Sequence, residues 1–260
     1  MPQQAGPRPN LADVRRFEAA GFRAWPATET RYDGTWAIRL TPDHPAKRLN
    51  SVNPLDPGDL DDLDGRVARA EALFAARGQA LTFRMSPLSG ATLSSYLDAR
   101  GWSSFDPSVV MGVDLAGLAL DDAVDQIPLK DVRRFIEAVG RTHDGEGAGA
   151  LADIIAAIQP AAGLFVRERD GAAMSTLICV HDGSLAGLFE VATASAERSA
   201  GHARQAILSA LKWARLRGAR TAWLQVGADN EPALHLYRSL GFAELYGYHY
   251  RRPPPPQQEG

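Results

Sequence analysis

Leu188-Phe189-Glu190-Val191-Ala192-Thr193-Ala194-Ser195-Ala196-Glu197-Arg198-Ser199-Ala200-Gly201-His202-Ala203-Arg204-Gln205-Ala206 is the stretch that decides the fold. An apolar run passes into a loop of small residues, and the loop opens directly into a segment with helical spacing. Ala203, Ile207, Ala210 and Ala214 share one face of that helix, which ends at Gly218. Small residues let a ligand approach the backbone, and Gly201 accepts dihedral angles that other residues avoid. The first turn of a helix presents unpaired N–H groups and the positive end of its dipole, so it favours a phosphate. Arg198 and Arg204 add fixed positive charge at the same point. A strand–loop–helix unit of this kind is expected to hold a pyrophosphate. Gly-Lys-Ser/Thr is absent, which excludes a Walker loop, and no Gly-x-Gly-x-x-Gly stands at the strand–helix turn.

A second pattern lies about thirty residues on, in Asn230-Glu231-Pro232-Ala233-Leu234-His235-Leu236-Tyr237-Arg238-Ser239-Leu240-Gly241-Phe242. Asn230 is placed to cap a helix, and Pro232 suits its first turn. Ala233 and Tyr237 share a face. Together, Arg198-x-x-Gly201-x-Ala203 and Asn230-x-x-Ala233-x-x-x-Tyr237-x-x-x-Gly241-Phe242 resemble the two signatures of the GNAT superfamily of acyl-CoA-dependent N-acyltransferases.

That resemblance implies a mixed α/β fold, a GNAT-like twisted sheet flanked by helices. It implies N-acetyl transfer from acetyl-CoA to a primary amine by direct attack, without a metal. By the resemblance, Val191, Ala192 and Thr193 offer main-chain bonds to pantetheine in the manner of an added strand. Arg198, Ser199, Ala200, Gly201, His202, Ala203 and Arg204 surround the pyrophosphate, and Asn230 bonds the pantetheine arm. Tyr237 sits by the sulfur and serves the departing thiolate. Glu190 is the first choice of general base, with His143 as the alternative. The loop holding His143, Asp144 and Glu146 lies where such enzymes bind acceptors. The competing readings are a non-catalytic acyl-CoA sensor and an inert scaffold used for interaction.

The remainder of the chain reads as α/β throughout. Helices are expected at 11–20, stopped by Gly21, and at 59–77, 91–100, 130–139, 151–158, 203–217 and 231–240. Strands are expected at 34–41, 81–85, 109–114, 163–169, 173–181, 184–193, 222–226 and 244–250, with 50–57 read as turn-rich. Sliding the chain along itself by 140 positions lays Gly78 on Gly218, Gly101 on Gly241 and Trp102 on Phe242. It also lays the apolar stripe Leu63, Val67, Ala70, Phe74 on Ala203, Ile207, Ala210, Ala214. Shared order and spacing predict an internal duplication, two GNAT-like units packed together, although identities are few and chance similarity of two α/β segments explains them too. The expected division is a disordered tail (1–9), a degenerate N-terminal unit (10–120), the acetyltransferase unit (125–250) and a Pro-rich tail (251–260).

In the N-terminal unit Gly90 stands where Asn230 should, and Leu97 where Tyr237 should. The helix that should meet pyrophosphate begins Asp59-Leu60-Asp61-Asp62-Leu63-Asp64. Each such carboxylate repels a phosphate by ~1–4 kcal/mol at ~4 Å, so this unit is expected to bind no CoA and to shape the acceptor site instead. Arg39, Lys47, Arg48, Asn50 and Asn53 are the polar groups it offers to an acidic acceptor.

Composition limits the alternatives. Of 260 residues 45% are apolar and 23% charged, the balance of a folded globular chain. A net charge of −3 gives no electrostatic case for nucleic acid or an anionic membrane. Cys179 is the only cysteine, which excludes an internal disulfide. The N-terminus, Met1 to Asn10, is polar and Pro-rich without an apolar h-region, and a cytoplasmic monomer or homodimer is expected.

Overall fold

A computed structural model describes residues 9–42, 44–143 and 150–255. The first half contains α1 (Leu11–Ala24), β1 (Glu29–Asp33), β2 (Trp36–Leu40), β3 (Ser51–Pro54), α2 (Leu63–Ala75), β4 (Phe83–Met85), α3 (Gly90–Asp98) and β5 (Ser103–Asp114). The second contains α4 (Val132–Thr142), α5 (Leu151–Ala157), β6 (Ala161–Arg169), β7 (Ala172–Asp182), β8 (Leu185–Thr193), α6 (His202–Leu216), β9 (Thr221–Gly227), α7 (Glu231–Ser239) and β10 (Ala243–Arg252). The β3-to-β5 and β8-to-β10 runs repeat the same order, and β5 and β10 begin at Ser103 and Ala243.

All ten strands form one mixed sheet, in the order β1-β2-β3-β4-β10-β5-β9-β8-β7-β6. Only β3–β4 and β8–β9 pair parallel. The closing strands are exchanged: β10 pairs with β4, and β5 pairs with β9, while β5 and β10 pair with each other at the centre. The two halves of the chain therefore share a single sheet instead of touching through an interface.

Three apolar clusters cover it. Helices α6 and α7 bury Ile207, Leu211, Leu234 and Tyr237 against Leu188 and Leu224. On the other face α1, α4 and α5 bury Phe17, Phe135 and Ile154 against Ile178, Phe189 and Trp223. Phe74 and Leu97, from α2 and α3, pack on Trp36, Phe83 and Trp102. Among the described residues, no helix is long and apolar enough to cross a membrane.

Several elements differ from expectation, each for a local reason. Helix α1 runs through Gly21 to Ala24, with Gly21 buried in its last turn and its carbonyl accepting from the Trp25 cap N–H, so this glycine does not act as a stop. Strand β1 is mostly exposed and has no apolar period to betray it. The turn-rich 50–57 segment contains β3, whose Ser51 and Asn53 are buried and hidden by their polarity. Strand β5 starts at Ser103, six residues before the apolar run begins at Val109. Strand β10 extends through Arg252. Residues 1–8 and 256–260 of the expected tails lie outside the described residues.

Candidate active site

Strands β8 and β9 pair from Leu185–Thr221 only as far as Leu188–Leu224. Beyond that point β8 stays on β7, with Ile178 opposite Phe189 and Thr176 opposite Ala192, a bulge that sets one extra residue on β8. Glu190 lies in the bulge with φ 49°. A non-glycine residue in that region costs about 1–2 kcal/mol, and the turn of the backbone swings the carboxylate off the sheet's alternation. The β9-facing edge of residues 189–193 is left without a ladder partner.

A cavity of about 290 Å³ opens at this divergence, lined by Arg48, His143, Glu190, Val191, Gln225, Asn230, Ala233 and Tyr237 among others. The predicted groups Glu190, His143, Val191, Asn230 and Tyr237 thus converge from β8, the end of α4 and the start and middle of α7. A larger recess of about 590 Å³, near Asp114, Arg215 and Leu245, contains none of the predicted residues, so size alone does not locate the site.

Glu190 is held from two sides. Arg48 Nη2 donates to Glu190 Oε1 at 3.0 Å, and His143 Nε2 lies 3.5 Å from Oε2. The two bases considered from sequence are therefore one paired unit. His143 caps α4, with Nδ1 3.3 Å from both the Val139 carbonyl and the Thr142 hydroxyl, which leaves Nε2 turned towards the Glu190 carboxylate. Tyr237 is 6% exposed, with its ring 5.9 Å from that of Phe242. Burial pushes its phenol up to about 12, so it stays protonated at neutral pH and is able to donate.

Ala192 and Thr193 continue the strand: the Ala192 carbonyl accepts from Ser175 Oγ at 2.7 Å, and Thr193 lies opposite Ser175. The turn beyond them is exposed at Arg198, Ser199, Ala200, Gly201 and Arg204, while Ala203 is half-buried. Gly201 caps α6 with φ 81° and has open space where a Cβ would stand. Arg204 crosses to Ser239 Oγ at 3.2 Å. His202 points inward and is buried. It accepts from Arg167 Nε at 3.2 Å and meets Glu197 Oε2 at 3.2 Å, and Glu197 is further tied to Arg169. Its side chain braces the loop, leaving only its backbone at the turn. Asn230 caps α7, its Oδ1 accepting from Ala233 N at 3.2 Å.

The acceptor residues named from sequence fare unevenly. Arg39 is buried and donates to the backbone carbonyls of Arg48 (2.7 Å) and Trp25, so it acts behind Arg48. Asn50 ties its own loop together, accepting from Thr41 N and donating to the His44 carbonyl, both at 2.7 Å. Asp144 and Glu146 lie outside the described residues. Gln225, absent from the sequence-based set, lines the cavity and accepts from the Tyr248 hydroxyl at 3.1 Å. Its signal was a polar side chain inside the apolar run Ala222-Trp223-Leu224-Gln225-Val226.

In the first half the corresponding features differ. Asp59 accepts from Thr35 N and Oγ1 at 2.7 Å and from Arg66, and the Thr35 amide above all holds its carboxyl down at about 2. Asp64 pairs with Arg100. Gly90, with φ 71°, lies so close to Pro57 that a Cβ there would fall 2.8 Å from the proline Cβ.

A family model described as "Probable histone acetyltransferase Rv0428c C-terminal" matches residues 11–251. The chain is 25% identical over 251 residues to the uncharacterized N-acetyltransferase YobR of Bacillus subtilis (strain 168), covering 93% of this chain and 99% of that protein. A GCN5-related N-acetyltransferase from Kribbella flavida superposes with TM-score 0.69 at 18% identity, covering 94% of this chain and 96% of that one. A tandem GNAT protein from the clavulanic acid biosynthesis pathway gives TM-score 0.62 at 16% identity, with 95% and 88% covered. The chain belongs to the family that this model describes, among the GCN5-related N-acetyltransferases. Its reaction class is acyl transfer.

Proposed function

We propose that the protein transfers an acetyl group from acetyl-CoA to the primary amine of a small acceptor, with all of the chemistry in the second half. One observation carries this: β8 and β9 part after Leu188–Leu224, and the freed edge faces a cavity holding Glu190 and Tyr237. The freed main chain at Val191, Ala192 and Thr193 suits pantetheine. The exposed turn from Ser199 to Gly201 and the first amides of α6, with Arg198 and Arg204, suit a pyrophosphate. The open space over Gly201 supports that fit, since a phosphate can approach the backbone closely there.

Glu190 takes a proton from the acceptor ammonium, directly or through water, with His143 Nε2 beside it. The nitrogen lone pair then forms its bond to the thioester carbonyl carbon, and the carbonyl π electrons move onto oxygen. Main-chain N–H groups on the freed β8 edge stabilise that oxyanion. As the C–S bond breaks, Tyr237 gives its proton to sulfur and recovers one from the nitrogen. The proton on Glu190 leaves to solvent, so the products are amide, thiol and one proton.

The first half binds no donor on this reading. Its helix start is occupied by the Asp59–Arg66 and Asp64–Arg100 pairs, and Pro57 fills the place above Gly90. It contributes Arg48 and the walls of the acceptor side.

Calorimetry with acetyl-CoA tests the donor assignment. Arg198→Ala with Arg204→Ala should weaken binding by roughly 10-fold or more, since charge-assisted phosphate contacts contribute ~1.5–3 kcal/mol each. An unchanged Kd removes the pyrophosphate site from this turn. A protein that binds acetyl-CoA tightly yet acetylates no amine is a sensor and not an enzyme.

A further inference from the structure

Three guanidinium groups, Arg39, Arg48 and Arg84, line one small cavity beneath the acceptor side, where Glu18 is the only carboxylate. Arg39 and Arg84 are each 4% exposed. Glu18 pairs with Arg84 and also accepts from the Tyr246 hydroxyl at 2.8 Å. Burial, and then the neighbouring Arg84 cation, pull the Arg39 guanidinium down to about 10, still charged at neutral pH. Arg84 Nη2 and Asn53 Oδ1 are buried there without a hydrogen-bond partner. The cavity, about 20 Å³, has room for one water and nothing larger. The floor therefore acts on the site through its positive field.

Arg48 carries that field into the open cavity. Its guanidinium lies 4.6 Å above the Trp25 ring, and Trp25 stacks on Phe189 at 5.3 Å with 10° between planes. Arg39 clamps the backbone carbonyls of both Trp25 and Arg48. So braced, Arg48 faces the 290 Å³ cavity and an adjoining one of about 340 Å³. Carboxylates share both cavities with it: Glu190, paired with Arg48, in the first, and Asp229 with the Lys47-paired Asp106 in the second. Each cavity thus presents a cation and a carboxylate side by side.

We propose that the acceptor is an α-amino acid, or a small amine with a carboxylate on the adjacent carbon, bound antiparallel across the Arg48–Glu190 pair with its ammonium on Glu190 and its carboxylate on Arg48. This rests on the reading above that Glu190 faces the acceptor amine. When Glu190 accepts the proton, Arg48 loses its counter-charge in a partly buried site, which is unfavourable unless another anion replaces it. A carboxylate on the acceptor supplies that anion at the step where it is needed. A polyamine or a lysine side chain supplies none, and brings further positive charge towards three guanidiniums.

The test uses matched acceptors with the intact protein and acetyl-CoA: phenylalanine, phenylalaninamide and phenethylamine; alanine and ethylamine; lysine and cadaverine. Each acid should exceed its matched amine or amide in kcat/KM by roughly 10- to 100-fold, the range of a hydrogen bond to a charged group. Arg48→Gln should bring that ratio close to one whatever it does to the absolute rate, and Arg48→Lys should restore part of it. Calorimetry of the same acids against the CoA-loaded protein should show binding that Arg48→Gln abolishes. Amines and amides used as well as the acids overturn this inference and leave acetyl transfer standing. Acids that bind through Arg48 without being acetylated, while no amine is acetylated either, leave a carboxylate site at Arg48 but overturn both the acceptor assignment and the function. Acids that neither bind nor react while simple amines react overturn it as well.

Discussion

Replacing Tyr237 with phenylalanine deletes one oxygen and keeps the packing. The ring is 6% exposed and rests on Phe242, in the cluster that joins α6 and α7 to the sheet, so the Tyr237→Phe protein should unfold at the wild-type temperature. On the proposed mechanism the lost interaction is a hydrogen bond to a sulfur that becomes anionic as it departs. Hydrogen bonds to charged groups contribute ~1.5–3 kcal/mol, or roughly 10- to 150-fold in rate. Burial raises the phenol to about 12, so it is a weaker acid than a thiol of pKa ~8.5, which places the loss towards the lower end. The fall should lie in kcat, with KM for acetyl-CoA within roughly threefold of wild type, because the bond is made only as sulfur leaves. The pH dependence follows: the protonated phenol is the active form and persists until pH approaches about 12. Loss of the hydroxyl should therefore lower the whole profile without moving either limb. Thiol release followed with a chromogenic reagent from pH 6 to 10 measures all of this. An unaltered kcat, or a lost alkaline limb near pH 8, refutes the role.

Three further expectations concern the scaffold. Arg84→Met leaves the buried Glu18 carboxylate with the Tyr246 hydroxyl alone and should cost ~3–5 kcal/mol in urea unfolding; an unmoved midpoint would show that the pair is dispensable. Burial raises the Tyr237, Tyr246 and Tyr250 phenols and takes the Cys179 thiol up to about 12. Their folded values exceed the unfolded ones, so the stability they contribute is complete below pH ~8.5 and is lost as pH rises through the folded values; a urea midpoint that stays level from pH 8 to 11 contradicts this. Residues 1–120 expressed alone leave β4 without β10 and β5 without β9 and should not fold, yet should co-purify with residues 121–260 when both are made together; a first half that unfolds cooperatively by itself is the contrary result.

What was legible in the sequence was local. Helix α6 and its glycine-opened start declared themselves through spacing and small residues, and α7 through Asn230, Pro232 and Gly241. Gly201 and Asn230 stand at the helix caps where the spacing put them. Contacts across long separations were not legible. Nothing in Lys47-Arg48-Leu49 says that Arg48 meets Glu190, 142 positions away, because that pairing depends on the exchange of closing strands. The Glu18–Arg84–Tyr246 network was hidden for the same reason: each member sits singly in an apolar context, and only the fold makes them neighbours. Polar strands misled most, since β1 lies at an exposed edge and β3 buries serine and asparagine.

Because β5 lies inside the partner unit's hydrogen-bond ladder and β10 returns the favour, neither repeat is expendable. On the reading proposed above the first half holds no donor, and such a segment would ordinarily be free to erode or be deleted. Here its removal would take β5, an interior strand, from between β10 and β9. The first half thus reaches the mouth of the site through the loop bearing Lys47 and Arg48 while its strands are locked into the shared sheet.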